Sequence, residues 1–293
     1  MDTRNETYSR QCRFLDDSYS LALYEAFIAA FSDYVMLFDL TEQQFRNHII
    51  LNAVDLNSSV GMMQAERLIG FTLNGFGEWN GISTVYDAGT GVRPEYRRLK
   101  LGTQMFDVMT PIFRDRGIKQ YLLEVITENK NAIGLYEKLG FYTSRTLSLL
   151  HCENRLIVGE TDPEGIEVRD VSEPDWTLFK SFWDGGPSWQ NSIEAIDRSR
   201  MNKSFLGAYR GEDCLGYIVF SRPFGRIAQI AVDRNFRGLG VGSLLLKAMI
   251  AETSDDSTPQ VINIDRSMDE SMTFFANRGF TEKLSQFEMI REI

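Results

Sequence analysis

Arg237-Gly238-Leu239-Gly240-Val241-Gly242 is a run in which glycines alternate with apolar residues, and the flanking pattern sets it between a strand and a helix. Glycines let successive backbone N–H groups converge, and a helix N-terminus carries partial positive charge, so the segment can cradle an anion such as a pyrophosphate. Taken alone it reads equally as a plain glycine-rich turn. It is neither the dinucleotide fingerprint, since no second Gly-x-Gly spacing or ribose-binding acid follows, nor a Walker loop, since the Lys-Ser/Thr pair is missing. Nothing announces a covalent intermediate: Cys12, Cys152 and Cys214 are scattered singly, and the adjacency of His151 to Cys152 does not by itself make a dyad. His48 and His151 are the only histidines, so a zinc site is hard to assemble and no metal is expected.

The elements around this run occur twice. Gly91-Val92-Arg93-Pro94-Glu95-Tyr96-Arg97-Arg98-Leu99-Lys100-Leu101-Gly102 returns 140 residues later as Ala231-Val232-Asp233-Arg234-Asn235-Phe236-Arg237-Gly238-Leu239-Gly240-Val241-Gly242. Leu135-Tyr136-Glu137-Lys138-Leu139-Gly140-Phe141 returns as Phe274-Phe275-Ala276-Asn277-Arg278-Gly279-Phe280, and Glu66-Arg67-Leu68-Ile69-Gly70-Phe71 faces Asp213-Cys214-Leu215-Gly216-Tyr217. Three matches in one order mean a duplicated domain. In each copy a hairpin (Val60–Gln64 with Leu68–Leu73; Phe205–Tyr209 with Leu215–Phe220) leads through a third strand into the repeated loop. A helix, a short strand (Tyr121–Ile126; Val261–Ile264), a second helix and a Gly-Phe strand entry follow. The expectation is an α+β fold (α/β): two domains, each a mixed, mostly antiparallel sheet flanked by helices, with one parallel crossover. Thr41-Glu42-Gln43-Gln44 has the form of a capping box. The predicted domains are 1–150 and 166–293, joined by a linker over 151–165.

At the repeated loop the chain resembles the GNAT superfamily of acyltransferases, whose signature is Arg/Gln-x-x-Gly-x-Gly/Ala. Arg237, Gly240 and Gly242 fit it fully; Arg97 and Gly102 fit it in the first copy, where Lys100 stands in place of the first glycine. If that position requires positive φ, the lysine costs about 1 kcal/mol or more; if not, its ammonium can join Arg97 and Arg98 on the phosphates. The resemblance implies a bound acetyl-CoA. Its phosphates would be held by Arg97, Arg98, Leu99, Lys100, Leu101, Gly102 and Thr103 in the first copy and by Arg237, Gly238, Gly240 and Gly242 in the second.

The stretch Leu122 to Phe141 is similar along its whole length to the family's strand and helix that follow the loop. The resemblance implies that Tyr136 acts as general acid at the coenzyme sulfur and that Asn129 contacts the pantetheine arm. Glu124 is implied as base, since alanine acetyltransferases of the family carry a Glu twelve residues before the Tyr. The oxyanion would be held by the backbone N–H of Val92, with Val232 its counterpart. Phe275 aligns with Tyr136 and Asn263 with Glu124, so the second copy is expected to bind coenzyme weakly or without turnover.

The remaining composition bounds the partners. At 293 residues the chain is long enough for two domains of roughly 100 to 150 residues each. The net charge of −10 disfavours a nucleic-acid surface and suits a small-molecule or peptide amine. No apolar run of membrane-spanning length and no secretory leader is present, so a soluble cytoplasmic protein without membrane partners is expected; the oligomeric state is open. Asp87 and Glu78 could receive a cationic amine, or Gly75 to Gly81 could be an ordinary hairpin turn with a solvated Glu. Phe182 to Trp189 reads as an aromatic loop filling an interdomain seam or, less favoured, lining an acceptor cleft.

Overall fold

The computed structural model describes residues 9–33, 40–153 and 162–293. Most of the expected linker, 154–161, lies outside them. The chain divides into two units: residues 1–144 with 288–293, and residues 145–287.

In the first unit, β1 (Arg10–Phe14), β2 (Val60–Gln64), β3 (Arg67–Trp79) and β4 (Ile82–Val92) run antiparallel in that order, and β5 (Gln120–Ile126) joins β4 in parallel. Helices α1 (Ser20–Ala30) and α2 (Glu42–Leu51) precede the hairpin; α3 (Leu101–Asp115) makes the crossover to β5, and α4 (Lys130–Lys138) follows it. The capping box forms: Gln44 N–H donates to Thr41 Oγ1 at 3.2 Å and Thr41 N–H to Gln44 Oε1 at 2.8 Å. The expected turn over Gly75–Gly81 is mostly strand. Only Asn80 and Gly81, at φ 52° and 78°, make the two-residue turn. Gly75 marks a close approach instead, because a Cβ there would lie 1.9 Å from the Asn52 carbonyl oxygen.

In the second unit the order is β6 (Tyr142–His151), β11 (Gln260–Asp265), β10 (Arg226–Val232), β9 (Asp213–Ser221), β8 (Ser204–Arg210) and β7 (Glu167–Asp170). Its helices are α5 (Trp176–Ser181), α6 (Ile193–Arg198), α7 (Val241–Glu252) and α8 (Asp269–Ala276). The units cut across the expected boundaries near 150 and 166. Most of β6, which follows α4 in sequence, pairs with β11 through His151↔Gln260 and Leu150↔Val261. Conversely, β12 (Thr281–Glu292) gives its last residues to the first unit, where Ile293 N–H donates to the Lys119 carbonyl at 2.9 Å. Strand membership follows the pairing partner, not the neighbour in sequence.

Candidate active site

Each copy opens a gap in its sheet beside the repeated loop. β4 pairs with β5 only from Thr84↔Gln120 to Asp87↔Leu123, although β4 runs on to Val92; β10 and β11 pair at two positions only. A bulge at the same place in both copies, Ala88 and Ala228, starts the divergence. Arg93 N–H donates to the Ile69 carbonyl, so by the alternation of an antiparallel ladder the N–H and C=O of Val92 point away from β3 and into the gap. Asp233 N–H, bonded to the Leu215 carbonyl, orients Val232 in the same way.

The loop between gap and helix has two residues in the left-handed region. In the second copy they are Gly238 and Gly240, at φ 73° and 85°; in the first they are Arg98 and Lys100, at φ 64° and 58°. Positive φ is therefore required at both, and the first copy places cations where the second places glycines. The alternation turns successive N–H groups to one side ahead of α3 and α7, the geometry of an anion cradle.

Arg97 and Arg237 hold these loops to the protein. Arg97 Nε donates to the Val92 carbonyl at 3.3 Å, Nη2 to the Ala30 carbonyl at 2.8 Å, and both Nη groups to Asp33 at 2.7 Å. Arg237 repeats the pattern on the Val232 carbonyl (3.1 Å), the Phe182 carbonyl (3.1 Å) and Asp184 (2.8 Å). A cation against the C-terminal carbonyls of α1 and α5 complements the helix dipole. The signature arginine thus fixes the loop and the carbonyl of the residue whose N–H enters the gap. Leu99 is exposed, Leu101 and Gly102 are buried at the start of α3, and Thr103 is half-buried in its first turn.

The chemistry-bearing residues of the first copy gather at the gap. Tyr121 packs on Phe106 and Phe113 of α3, so alternation puts Leu123 and Val125 on that face and Glu124, half-buried, on the other. Tyr136, 7 % exposed, packs on Phe106 and Phe141. Acid and base candidates therefore flank the gap from opposite faces. Asn129 caps α4, its Oδ1 accepting from Ala132 N–H at 3.1 Å.

Asp87 faces inward rather than toward solvent. Its carboxylate accepts from Gly89 N–H (2.9 Å), Thr90 Oγ1 (2.7 Å) and Tyr136 Oη (3.4 Å), and burial pushes its pKa up to about 6 against those hydrogen bonds. Glu78, exposed near the hairpin tip, pairs with Ser83, four pairs along the ladder from Asp87 and on the order of 13 Å away, so the two do not form one amine receptor. His48 Nε2 lies 2.7 Å from the Ala88 carbonyl, to which it donates, and its Nδ1 lies 3.2 Å from Asn52 Nδ2, so the ring braces the bulge. Cys152 is buried and directs its thiol to the Arg278 carbonyl.

In the second unit a cavity of about 600 Å³ surrounds the loop, lined among others by Gly238, Gly240, Gly242, Asn263 and Phe275. Phe182 to Pro187 line it too, so the aromatic loop forms a cleft wall; Trp183 Nε1 donates to Tyr217 Oη (2.6 Å), which donates to Gln229 Oε1 (2.7 Å). Asn263, at φ 60°, sits where the β11 register breaks and accepts from Gln286 Nε2 at 2.7 Å. Sequence reasoning missed the inward turn of Asp87, its partner Thr90, and the clamp carboxylates Asp33 and Asp184. Among the described residues no group of three His, Cys, Asp or Glu side chains could hold a metal, and no helix is long and apolar enough to cross a membrane.

A sheet gap, an anion-cradling loop at a helix N-terminus and a Tyr-bearing helix beside it are the architecture of an acyltransferase. The comparisons agree. The Acetyltransferase (GNAT) family matches residues 15–141 and an Acetyltransferase (GNAT) domain matches residues 168–290, and the chain belongs to the GNAT acetyltransferase family as a tandem of two such domains. It is 32% identical over 82 residues to a thialysine N-epsilon-acetyltransferase of Sus scrofa, covering 27% of this chain and 48% of that protein. The chain spans about half the length of the curated relatives it matches. A GCN5-related N-acetyltransferase from Sphaerobacter thermophilus has the same fold (TM-score 0.74, 15% identity, 97% of this chain and 95% of that one). So does a tandem GNAT protein from the clavulanic acid biosynthesis pathway (TM-score 0.73, 12% identity, 97% and 98%).

Proposed function

We propose that this protein is an acetyl-CoA-dependent N-acetyltransferase that passes acetyl directly to a primary amine, small-molecule or peptide, with the chemistry in the first copy. The observation that carries this reading is the pairing, across one gap, of the Tyr136 phenol on one face with Glu124 on the other, beside the inward N–H of Val92. The second copy has Phe275 and Asn263 instead.

In this reading Arg98 and Lys100, with the backbone from Leu99 to Thr103, receive the coenzyme phosphates on a loop fixed by Arg97, and Asn129 meets the pantetheine arm. Glu124 strips the acceptor ammonium so that a neutral nitrogen attacks, Val92 N–H stabilises the oxyanion, and Tyr136 delivers a proton to the leaving sulfur. The three cysteines, none of them in a disulfide, suit a reducing cytoplasm. The cavity around Gly238 to Gly242 favours a second coenzyme site without turnover, contacted by Val232 and the loop led by Arg237.

The test is thiol release from acetyl-CoA over a panel of amines that includes thialysine, with coenzyme stoichiometry by calorimetry. Wild type should turn over, Tyr136→Phe should lose about 100-fold or more in kcat at neutral pH, and Gly240→Glu should abolish one binding site while turnover persists. Loss of turnover in Gly240→Glu with none in Tyr136→Phe would move the chemistry to the second copy; binding without turnover on the whole panel would make the chain a sensor.

A further inference from the structure

Asp87 stands out because the fold does not need it. Burying a carboxylate without a cationic partner is costly, and such groups are kept where they do something. Here the molecule contains its own control, since the second copy builds the same sheet. The ladder pairs Thr72 with Thr90 in the first copy and Ile218 with Ile230 in the second; Asp87, at the start of the bulge, corresponds to Ile227, and Tyr136 to Phe275. Four polar residues in contact thus become four apolar ones together. Ile218, Ile227 and Phe275 lie in the hydrophobic core of the second unit and Ile230 packs against it. The site is comfortable when greasy. In the first copy Tyr136 Oη reaches Asp87 Oδ2 at 3.4 Å, Thr90 Oγ1 donates to that same oxygen at 2.7 Å, and Asp87 is 6 % exposed.

We infer that Asp87 is a positioning residue acting through Tyr136, a proton store that receives the proton leaving the attacking nitrogen and returns it, through the phenol, to the coenzyme sulfur. This deepens the proposed function and rests on its placing the chemistry at Tyr136. After the neutral amine attacks the thioester carbonyl, the nitrogen is cationic. An N–H bond breaks as its proton passes to Tyr136 Oη, while the phenol's own proton passes to the Asp87 carboxylate. As the C–S bond breaks and its electron pair goes to sulfur, Tyr136 gives its proton to the thiolate and takes one back from the Asp87 carboxyl. One N–H and one C–S bond are lost, one C–N and one S–H bond are gained, and both side chains end as they began. A carboxylate of ordinary pKa would be a poor store; burial brings Asp87 nearer the range in which a proton is both accepted and given up. The other titratable or charged groups around it among the described residues are Tyr121 on β5, bonded to Asn74, Arg291 on β12, which lies beside Tyr121, Glu124 on the far face of β5, and His48 on α2, bonded to the Ala88 carbonyl.

The cycle must start with Asp87 ionised, so kcat should fall as pH drops through about 6. The experiment measures kcat and the KM for acetyl-CoA from pH 5 to 8 for wild type, Asp87→Asn, Tyr136→Phe and the double variant. Asp87→Asn should lose roughly 100-fold in kcat with KM changed less than about threefold, lose the acid limb near pH 6, and add nothing to Tyr136→Phe, because the two act as one unit. Thr90→Val, which removes a donor to the carboxylate but leaves the shuttle, should move the limb to higher pH. A readout free of the acceptor uses ring-labelled tyrosine: the Tyr136 carbon resonance, identified by its absence in Tyr136→Phe, should shift with pH near 6 in wild type and not in Asp87→Asn. Wild-type kcat in Asp87→Asn, a persisting limb, multiplying losses or a pH-silent Tyr136 resonance would each overturn the inference. A Tyr136→Phe enzyme with full kcat would instead sink the proposed function beneath it.

Discussion

Asp87 shows how a single residue can weigh on stability. Its ordinary carboxyl pKa of 3.8 rises to about 6 in the folded chain, so between those values the native state holds more protons than the unfolded one. Stability therefore falls as pH rises through this window, by roughly 3 kcal/mol for a shift of about two units, and stays lower above pH 6. Asp87→Asn cannot ionise and escapes that loss. The amide keeps one acceptor for Gly89 N–H, while the Thr90 hydroxyl can turn to Thr72 Oγ1, 3.2 Å away. The variant should gain about 1–2 kcal/mol over wild type in urea unfolding at pH 7.5, with the gap closing toward pH 5. Parallel stability curves for the two proteins would mean that the carboxyl titrates normally. A residue that weakens the fold where the protein works is the kind that function retains.

At the scale of the element, the loop before α3 and its twin before α7 obey one backbone geometry with different residues. Lys100 and Arg98 accept left-handed conformations that cost about 1–2 kcal/mol each, where Gly240 and Gly238 have no such cost. In the proposed function their charges are the compensation, and the two side chains are exposed. Lys100→Gly should raise stability by roughly 0.5–1 kcal/mol, the strain relief being partly offset by the freer unfolded chain, and should weaken acetyl-CoA binding in calorimetry. Unchanged affinity with higher stability would show that the lysine is there for neither phosphate nor fold. Such loops are half legible in sequence. Glycine alternation, hairpin patterns and the Thr41 cap are local signals that the structure reproduces. Which protein groups Arg97 would meet, Asp33 and the Ala30 carbonyl, depends on a helix end 64 to 67 residues away, and no spacing rule reaches that far. Asp87 drew notice as a receiver for a cationic amine, and its inward turn beside the bulge at Ala88 is no more legible, because the bulge shows only in the strand pairing.

Across the whole molecule, duplication did not yield two self-contained copies. The repeat is plain in the sequence because like segments recur in like order, yet the last strand of a copy carries no label saying which sheet it joins. The first unit takes Glu288–Ile293 from the far end of the chain. There Arg291 donates to the Leu139 carbonyl (3.0 Å) and to Thr110 Oγ1 (2.6 Å) and lies over the Phe141 ring, while Ile293 N–H closes on Lys119. Phe141 packs on both Tyr136 and Tyr121, so these six residues back the aromatic layer that seats the candidate acid. Deleting 288–293 should therefore harm the N-terminal unit first. Expected outcomes are faster hydrogen exchange in β5 and α4 than in β8 and β9, and loss of most turnover with coenzyme binding at the second-unit cavity retained. The deletion removes several hydrogen bonds and strips cover from buried rings, a cost of at least 2–3 kcal/mol. Arg291→Ala alone should reproduce part of it. If exchange instead quickened first around Gly238 to Gly242, the carboxyl terminus would be a support of the C-terminal copy in which it is encoded, and the assignment of β12's last residues to the first unit would fail.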